Sequence, residues 1–133
     1  MLEIDRYWFL GLIEGEGHFG ICKTISKHNT YPTFRFVLEM KEDLDFFCSL
    51  KNNFGGSIYI RKKRPGMIVW KIGNVGDLLK LYDILKDLRL RTKKKKQFDW
   101  FYNKLFEYQR IELGEKKNWK KEIVTNTNLT FKE

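Results

Sequence analysis

The chain has 133 residues, with 26 lysines and arginines against 17 aspartates and glutamates, a net charge of +9; 42% of residues are hydrophobic and 16% aromatic. That length fits one domain with a real core, and the apolar content excludes a disordered basic tail. The excess of positive charge points to a polyanionic partner, nucleic acid before membrane, since no uninterrupted apolar run could span a bilayer.

Glu3, Asp5 and Arg6 precede the first apolar run, so no signal-peptide pattern opens the chain. Ile4, Trp8, Leu12 and Phe9, Ile13 then recur at helical spacing, which predicts a helix over 3–15 that Gly17 stops. Residues 18–26 switch to alternation: Phe19, Ile21 and Ile25 on one side, His18, Gly20, Cys22 and Thr24 on the other. A turn-rich KHNTYP and the strand TFRFVLEM complete a hairpin. Residues 43–54 form an amphipathic helix closed by Gly55-Gly56. A second hairpin pairs SIYIRKK, with Ile58 and Ile60 opposite Tyr59 and Arg61, to MIVWKIG, with Ile68, Trp70 and Ile72 inward. Helices follow over about 75–88 and 96–113.

The order α-ββ-α-ββ-α-α predicts an α+β domain over 1–113, a four-stranded antiparallel sheet backed on one face by helices. Residues 114–133 read as a polar, basic tail in which Trp119 and Ile123 dock a short helix. Cys22 and Cys48 lack metal-ligand spacing and predict reduced, structural thiols in an intracellular protein. The sequence leaves open whether that compartment is nuclear or cytoplasmic, or an organelle such as a mitochondrion or plastid.

Charge is unevenly placed. Residues 57–72 hold Arg61, Lys62, Lys63, Arg64 and Lys71 with no acid, and residues 18–38 hold Lys23, Lys27 and Arg35, again with none. Both hairpins therefore make the helix-free sheet face positive, and a two-stranded ribbon fits the DNA major groove. Residues 89–121 carry 12 basic and 4 acidic side chains, densest in RLRTKKKKQFDW. Any single lysine there reads as a solvated surface group, but the ensemble predicts phosphate binding that weakens steeply with salt.

The stretch FLGLIEGEG at 9–17 is locally unfavourable. Glycine costs a helix interior roughly 1 kcal/mol relative to alanine, and carboxylates near a helix C-terminus oppose its dipole. Gly11 and Gly15 are four apart and share a face, so their missing side chains predict a tight helix-to-helix seam. Glu16 falls at the helix end beside unpaired carbonyls, an all-oxygen group suited to Mg²⁺ or another hard divalent cation. Glu14 cannot share that face, so one glutamate is expected at the metal and the other in a structural role.

FLGLIEGEG resembles the signature of the LAGLIDADG homing endonuclease family, with Phe9 to Gly17 in its nine positions and glutamates at both acidic ones. The α-ββ-α-ββ-α order, Gly55-Gly56 before the third strand and Trp70 in the fourth extend the likeness over nearly the whole chain. The resemblance implies a homing endonuclease-like fold and a site-specific, Mg²⁺-dependent hydrolase of double-stranded DNA. A lone motif implies a homodimer on near-palindromic sites, with Gly11 and Gly15 at the two-fold seam beside Leu12 and Trp8. It further implies Glu16 and the Gly15 carbonyl as metal ligands. A basic residue before the last helix is implied near the scissile phosphate, Lys94 or Lys96 best placed, with Lys93 and Lys95 as alternatives.

Active members often place a water-orienting glutamine at the end of the second strand, where this chain has Leu38 or Glu39 according to register. The implied DNA-contacting side chains are His18, Gly20, Cys22, Thr24, Arg35, Tyr59, Arg61, Lys63, Val69 and Lys71. The alternative is a relative without cleavage activity that binds RNA or DNA, as an intron maturase or a component of an RNA–protein assembly. The absent glutamine, the short chain and the basic C-terminal third favour that alternative, whereas Gly11, Gly15 and Glu16 favour the enzyme.

Overall fold

A computed structural model describes residues 5–41 and 43–110. The first helix, α1 (Arg6–Glu16), starts where Asp5 accepts hydrogen bonds from the amides of Tyr7 and Trp8 at 2.9 and 3.0 Å, satisfying two donors a helix start leaves unpaired. It buries Phe9 and Ile13, one turn apart, against the sheet. Gly17 then turns the chain straight into strand β1 (Gly17–Ser26). A Cβ on Gly17 would lie 2.7 Å from the Ile13 carbonyl and 2.8 Å from the Phe36 ring, so only glycine lets helix and sheet meet this closely.

Strand β2 (Asn29–Lys41) pairs with β1 from Gly17↔Leu38 to Ser26↔Asn29. The expected six-residue turn shrinks to Lys27-His28, with Lys27 at φ 52°, and most of KHNTYP is strand. After α2 (Leu44–Phe54) come β3 (Ser57–Ile60) and β4 (Met67–Ile72), and β4 rather than β3 lies beside β2, giving the order β1-β2-β4-β3. Helices α3 (Val75–Leu88) and α4 (Lys94–Arg110) finish the described chain. The expected continuation of α4 to 113 and the tail with Trp119 and Ile123 lie outside the described residues. None of the described helices is long and apolar enough to cross a membrane.

All four helices cover one sheet face. Phe19, Phe36, Leu38, Trp70 and Ile72 of the sheet join Phe9, Phe47, Leu78, Phe101 and others in one core. Phe9 stacks on Phe54 at 4.6 Å between centroids. Trp70, fully buried, donates from Nε1 to the Gly55 carbonyl at 2.9 Å. Gly55 and Gly56 both hold φ above +80°, and a Cβ on Gly56 would lie 2.6 Å from the Lys71 carbonyl, which accounts for the glycine pair. Two side chains expected inward do not reach the core: Ile25, at the hairpin tip, is 71% exposed, and Ile60, on the outer edge strand, is 57% exposed.

Candidate functional site

The glutamates of the motif helix have different environments. Glu14 accepts hydrogen bonds from the backbone amides of Arg91 and Thr92, the latter at 2.9 Å. Desolvation pulls its pKa upward, but the two amides, the Thr92 hydroxyl and the Arg91 charge outweigh it and hold the carboxyl below its ordinary value. Glu14 thus ties the α3–α4 connection to α1. Glu16, at the exposed end of α1, has no hydrogen-bond or ion-pair partner among the described residues. The division of labour expected between the two acids has Glu14 on the structural side.

The segment Glu14 holds delivers a lysine. The Thr92 hydroxyl accepts from the Lys94 amide at 3.2 Å, and α4 begins there. Lys94 Nζ then donates to the Gly17 carbonyl at 2.5 Å, directly after the motif helix, and lies 3.5 Å from Gln97 Oε1. Partial burial pushes the Lys94 pKa down. Lys96 is two residues on, about 200° around the same helix, and projects to another side. Lys95 pairs with Asp99 at 3.2 Å. The Lys94 ammonium thus contacts the end of the motif helix.

Gln97 is a residue that sequence reasoning missed. Its Oε1 accepts the Phe19 amide of edge strand β1 at 3.0 Å. Its position on the first turn of a lysine-rich helix carries no sequence signal for that contact, which depends on how α4 crosses β1.

The helix-free face displays His18, Gly20, Cys22 and Thr24 from β1, Arg35 and Glu39 from β2, Lys71 from β4 and Tyr59 from β3, as strand alternation predicts. His18 covers Gly20, where a Cβ would lie 3.3 Å from the imidazole. Desolvation, then the charges of Lys94 and Arg35, lower the His18 pKa, so the ring favours its neutral form. Thr24 and Thr33 share a hydrogen bond between hydroxyls. Lys63 projects from the β3–β4 turn rather than from a strand, because β3 ends at Ile60.

Two expectations need correction. Val69 is fully buried, flanked in register by Glu39 and Tyr59, so it packs under these larger neighbours instead of reaching a ligand. Leu38 is buried in the core, which makes Glu39 the open-face residue at the end of β2. The Glu39 carboxylate is already engaged: Arg61 Nε reaches Oε1 at 2.7 Å, Arg61 Nη2 reaches Oε2 at 2.9 Å, and Arg64 Nη1 stands 3.9 Å from Oε1. The Arg61 hydrogen bond, aided by the charges of Arg61 and Arg64, depresses the Glu39 pKa against the opposing pull of desolvation. In this structure Glu39 therefore holds an arginine, and the water-orienting role expected at this place has no free carboxylate.

The remaining face of α1 points away from the core. Trp8 is 52% exposed, Leu12 is half-buried, and a Cβ added at Gly11 or Gly15 meets nothing within 4 Å. The packing of the described protomer therefore places no demand on either glycine.

The sequence profile of a family described as LAGLIDADG endonuclease matches residues 9–105. Among solved structures the fold is similar to that of the homing endonuclease I-TnaI, at 23% identity and TM-score 0.78, covering 95% of this chain and 84% of that one. It is similar also to the LAGLIDADG homing endonuclease I-GzeII in complex with a DNA target, at 19% identity and TM-score 0.80, covering 98% of this chain but 47% of that one. A third, I-SmaMI bound to uncleaved DNA in the presence of calcium ions, gives 21% identity, TM-score 0.76 and the same coverages of 98% and 47%. The chain thus spans most of the first structure and about half the length of the other two. A comparison with curated proteins gives no match.

Proposed function

This chain belongs to the LAGLIDADG endonuclease family, and from that premise we propose that it is a site-specific endonuclease of double-stranded DNA, working as a homodimer with Mg²⁺ or a similar cation. The observation that carries the proposal is the motif helix: among the described residues nothing fills its glycine face, and its end presents a Glu16 carboxylate without a partner among them. A second copy of the same face provides what such close-packing positions suit, by two-fold symmetry. Trp8 and Leu12 flank the contact and supply apolar area.

The donor set fits a hard cation. The Glu16 carboxylate and the Gly15 carbonyl at a helix end are oxygen ligands beside a negative dipole. Among the described residues no three His, Cys, Asp or Glu side chains form a metal-binding group, so further ligands would come from DNA phosphates and the second protomer. When bound, the cation would activate water and offset charge developing on the phosphate. Lys94, anchored at the Gly17 carbonyl, contributes a positive charge beside the same phosphate. Glu14 keeps Lys94 in place by fixing the backbone at 91–92. Arg35, Lys71 and the turn residues Lys62 and Lys63 hold the duplex against the sheet.

The test is incubation of wild type and Glu16→Gln with a duplex library and Mg²⁺. Wild type should cut, and the variant should bind the same duplexes without cutting them. Full cutting by the variant would refute the role given to Glu16. The engagement of Glu39 by Arg61 favours a second reading, a nucleic-acid-binding protein without cleavage activity. A monomer that binds structured RNA and never nicks DNA would establish that reading instead.

A further inference from the structure

We propose that Arg61 is a base-reading side chain specific for guanine, and that Glu39 is its positioning residue; this rests on the DNA-binding reading above. Arg61 follows β3, and its amide extends the ladder by donating to the Met67 carbonyl at 3.0 Å, so its backbone is fixed. Its guanidinium is fixed as well. The Nε and Nη2 groups clasp both oxygens of Glu39 at 2.7 and 2.9 Å, and Cζ stands 5.8 Å from the Tyr59 ring centroid. Together these contacts restrain a long side chain that would otherwise sample many rotamers.

The side-on clasp uses two of five N–H donors. The Nη1 pair and the second Nη2 hydrogen remain, lying along the guanidinium edge opposite Nε. That edge is the fork that matches O6 and N7 of guanine in the major groove. Both side chains stay accessible on the open face, Arg61 at 43% and Glu39 at 24%. Charge separates base reading from phosphate binding. The carboxylate cancels most of the attraction this arginine would exert on a phosphate, while leaving its directional donors intact. A residue so arranged adds specificity more than affinity. The neighbouring Lys62 and Lys63, on the turn, keep their full charge for the backbone.

The experiment selects bound duplexes from a randomised pool with wild type, Arg61→Lys and Glu39→Gln. Wild type should enrich guanine at one position in each half-site. Arg61→Lys, which keeps the charge but lacks the fork, should lose that preference by about 10-fold while other positions stay unchanged. Glu39→Gln should weaken the same preference without lowering total affinity, an effect a merely structural residue would not produce. An unchanged guanine preference in Arg61→Lys overturns the assignment, as does a uniform loss of affinity across all sequences. If wild type enriches no duplex at all, the DNA-binding reading itself falls, and the assignment with it.

Discussion

Replacing Gly11 and Gly15 together by alanine separates the needs of the protomer from those of an assembly. Among the described residues of the protomer neither added Cβ meets anything within 4 Å, and both sites lie inside α1. Each substitution should therefore strengthen the helix by about 0.8–1.0 kcal/mol, so the isolated protomer gains roughly 2 kcal/mol. In a seam between two α1 helices the same methyl groups force the backbones apart. Overpacking costs about 1–3 kcal/mol, and two-fold symmetry repeats each clash. Four such clashes cost at least about 4 kcal/mol, which weakens association roughly 1,000-fold. Sedimentation equilibrium gives the dissociation constant, and urea unfolding at concentrations below it gives protomer stability. The expected outcome has opposite signs: a more stable protomer and a weaker dimer. Association as tight as wild type would refute the seam, and so would a wild-type protein that stays monomeric at every concentration.

Gly17→Ala should destabilise the fold by about 2 kcal/mol or more in urea unfolding, because its Cβ would stand 2.7 Å from a backbone carbonyl that cannot yield. Glu14→Gln should cost about 1 kcal/mol at neutral pH, discounted for its partial exposure. Because the folded-state pKa of Glu14 lies below its ordinary 4.5, that difference from wild type should be complete above about pH 4.5 and vanish as pH falls through the lowered value. Lys94→Met should reduce the salt slope of DNA binding by about 0.9, the signature of one lost phosphate contact. An unchanged slope would remove Lys94 from the phosphate.

The element order and the open face were legible in the sequence because both depend on periodicity. Phe9 and Ile13 at a helical interval, and Phe19 and Ile21 alternating with His18 and Gly20, report which side of an element is buried. Strand neighbours were not legible: local pattern says that β3 and β4 form a hairpin, not that β4 inserts beside β2. Val69 illustrates the limit. Alternation placed it correctly on the open face, but its burial comes from longer side chains on two adjacent strands. The pairing of Glu39 with Arg61, 22 residues apart, is likewise a product of cross-strand register. Nothing in KKKKQ singles out Lys94, whose contact with Gly17 arises from the hold that Glu14 has on the backbone 77 residues away.

On the proposed DNA-binding reading, the length of the first hairpin sets how much sequence one copy spans. Strand β1 has 10 residues, which at about 3.3 Å each makes a finger some 33 Å long, the rise of roughly ten base pairs. Its tip, carrying the exposed Ile25, marks the outer limit of that ruler. Lengthening both arms by two residues would extend the ruler and keep the same faces outward. Adding one residue to each would turn the new tip over, swapping the side chains of the open face for those of the helix-covered face.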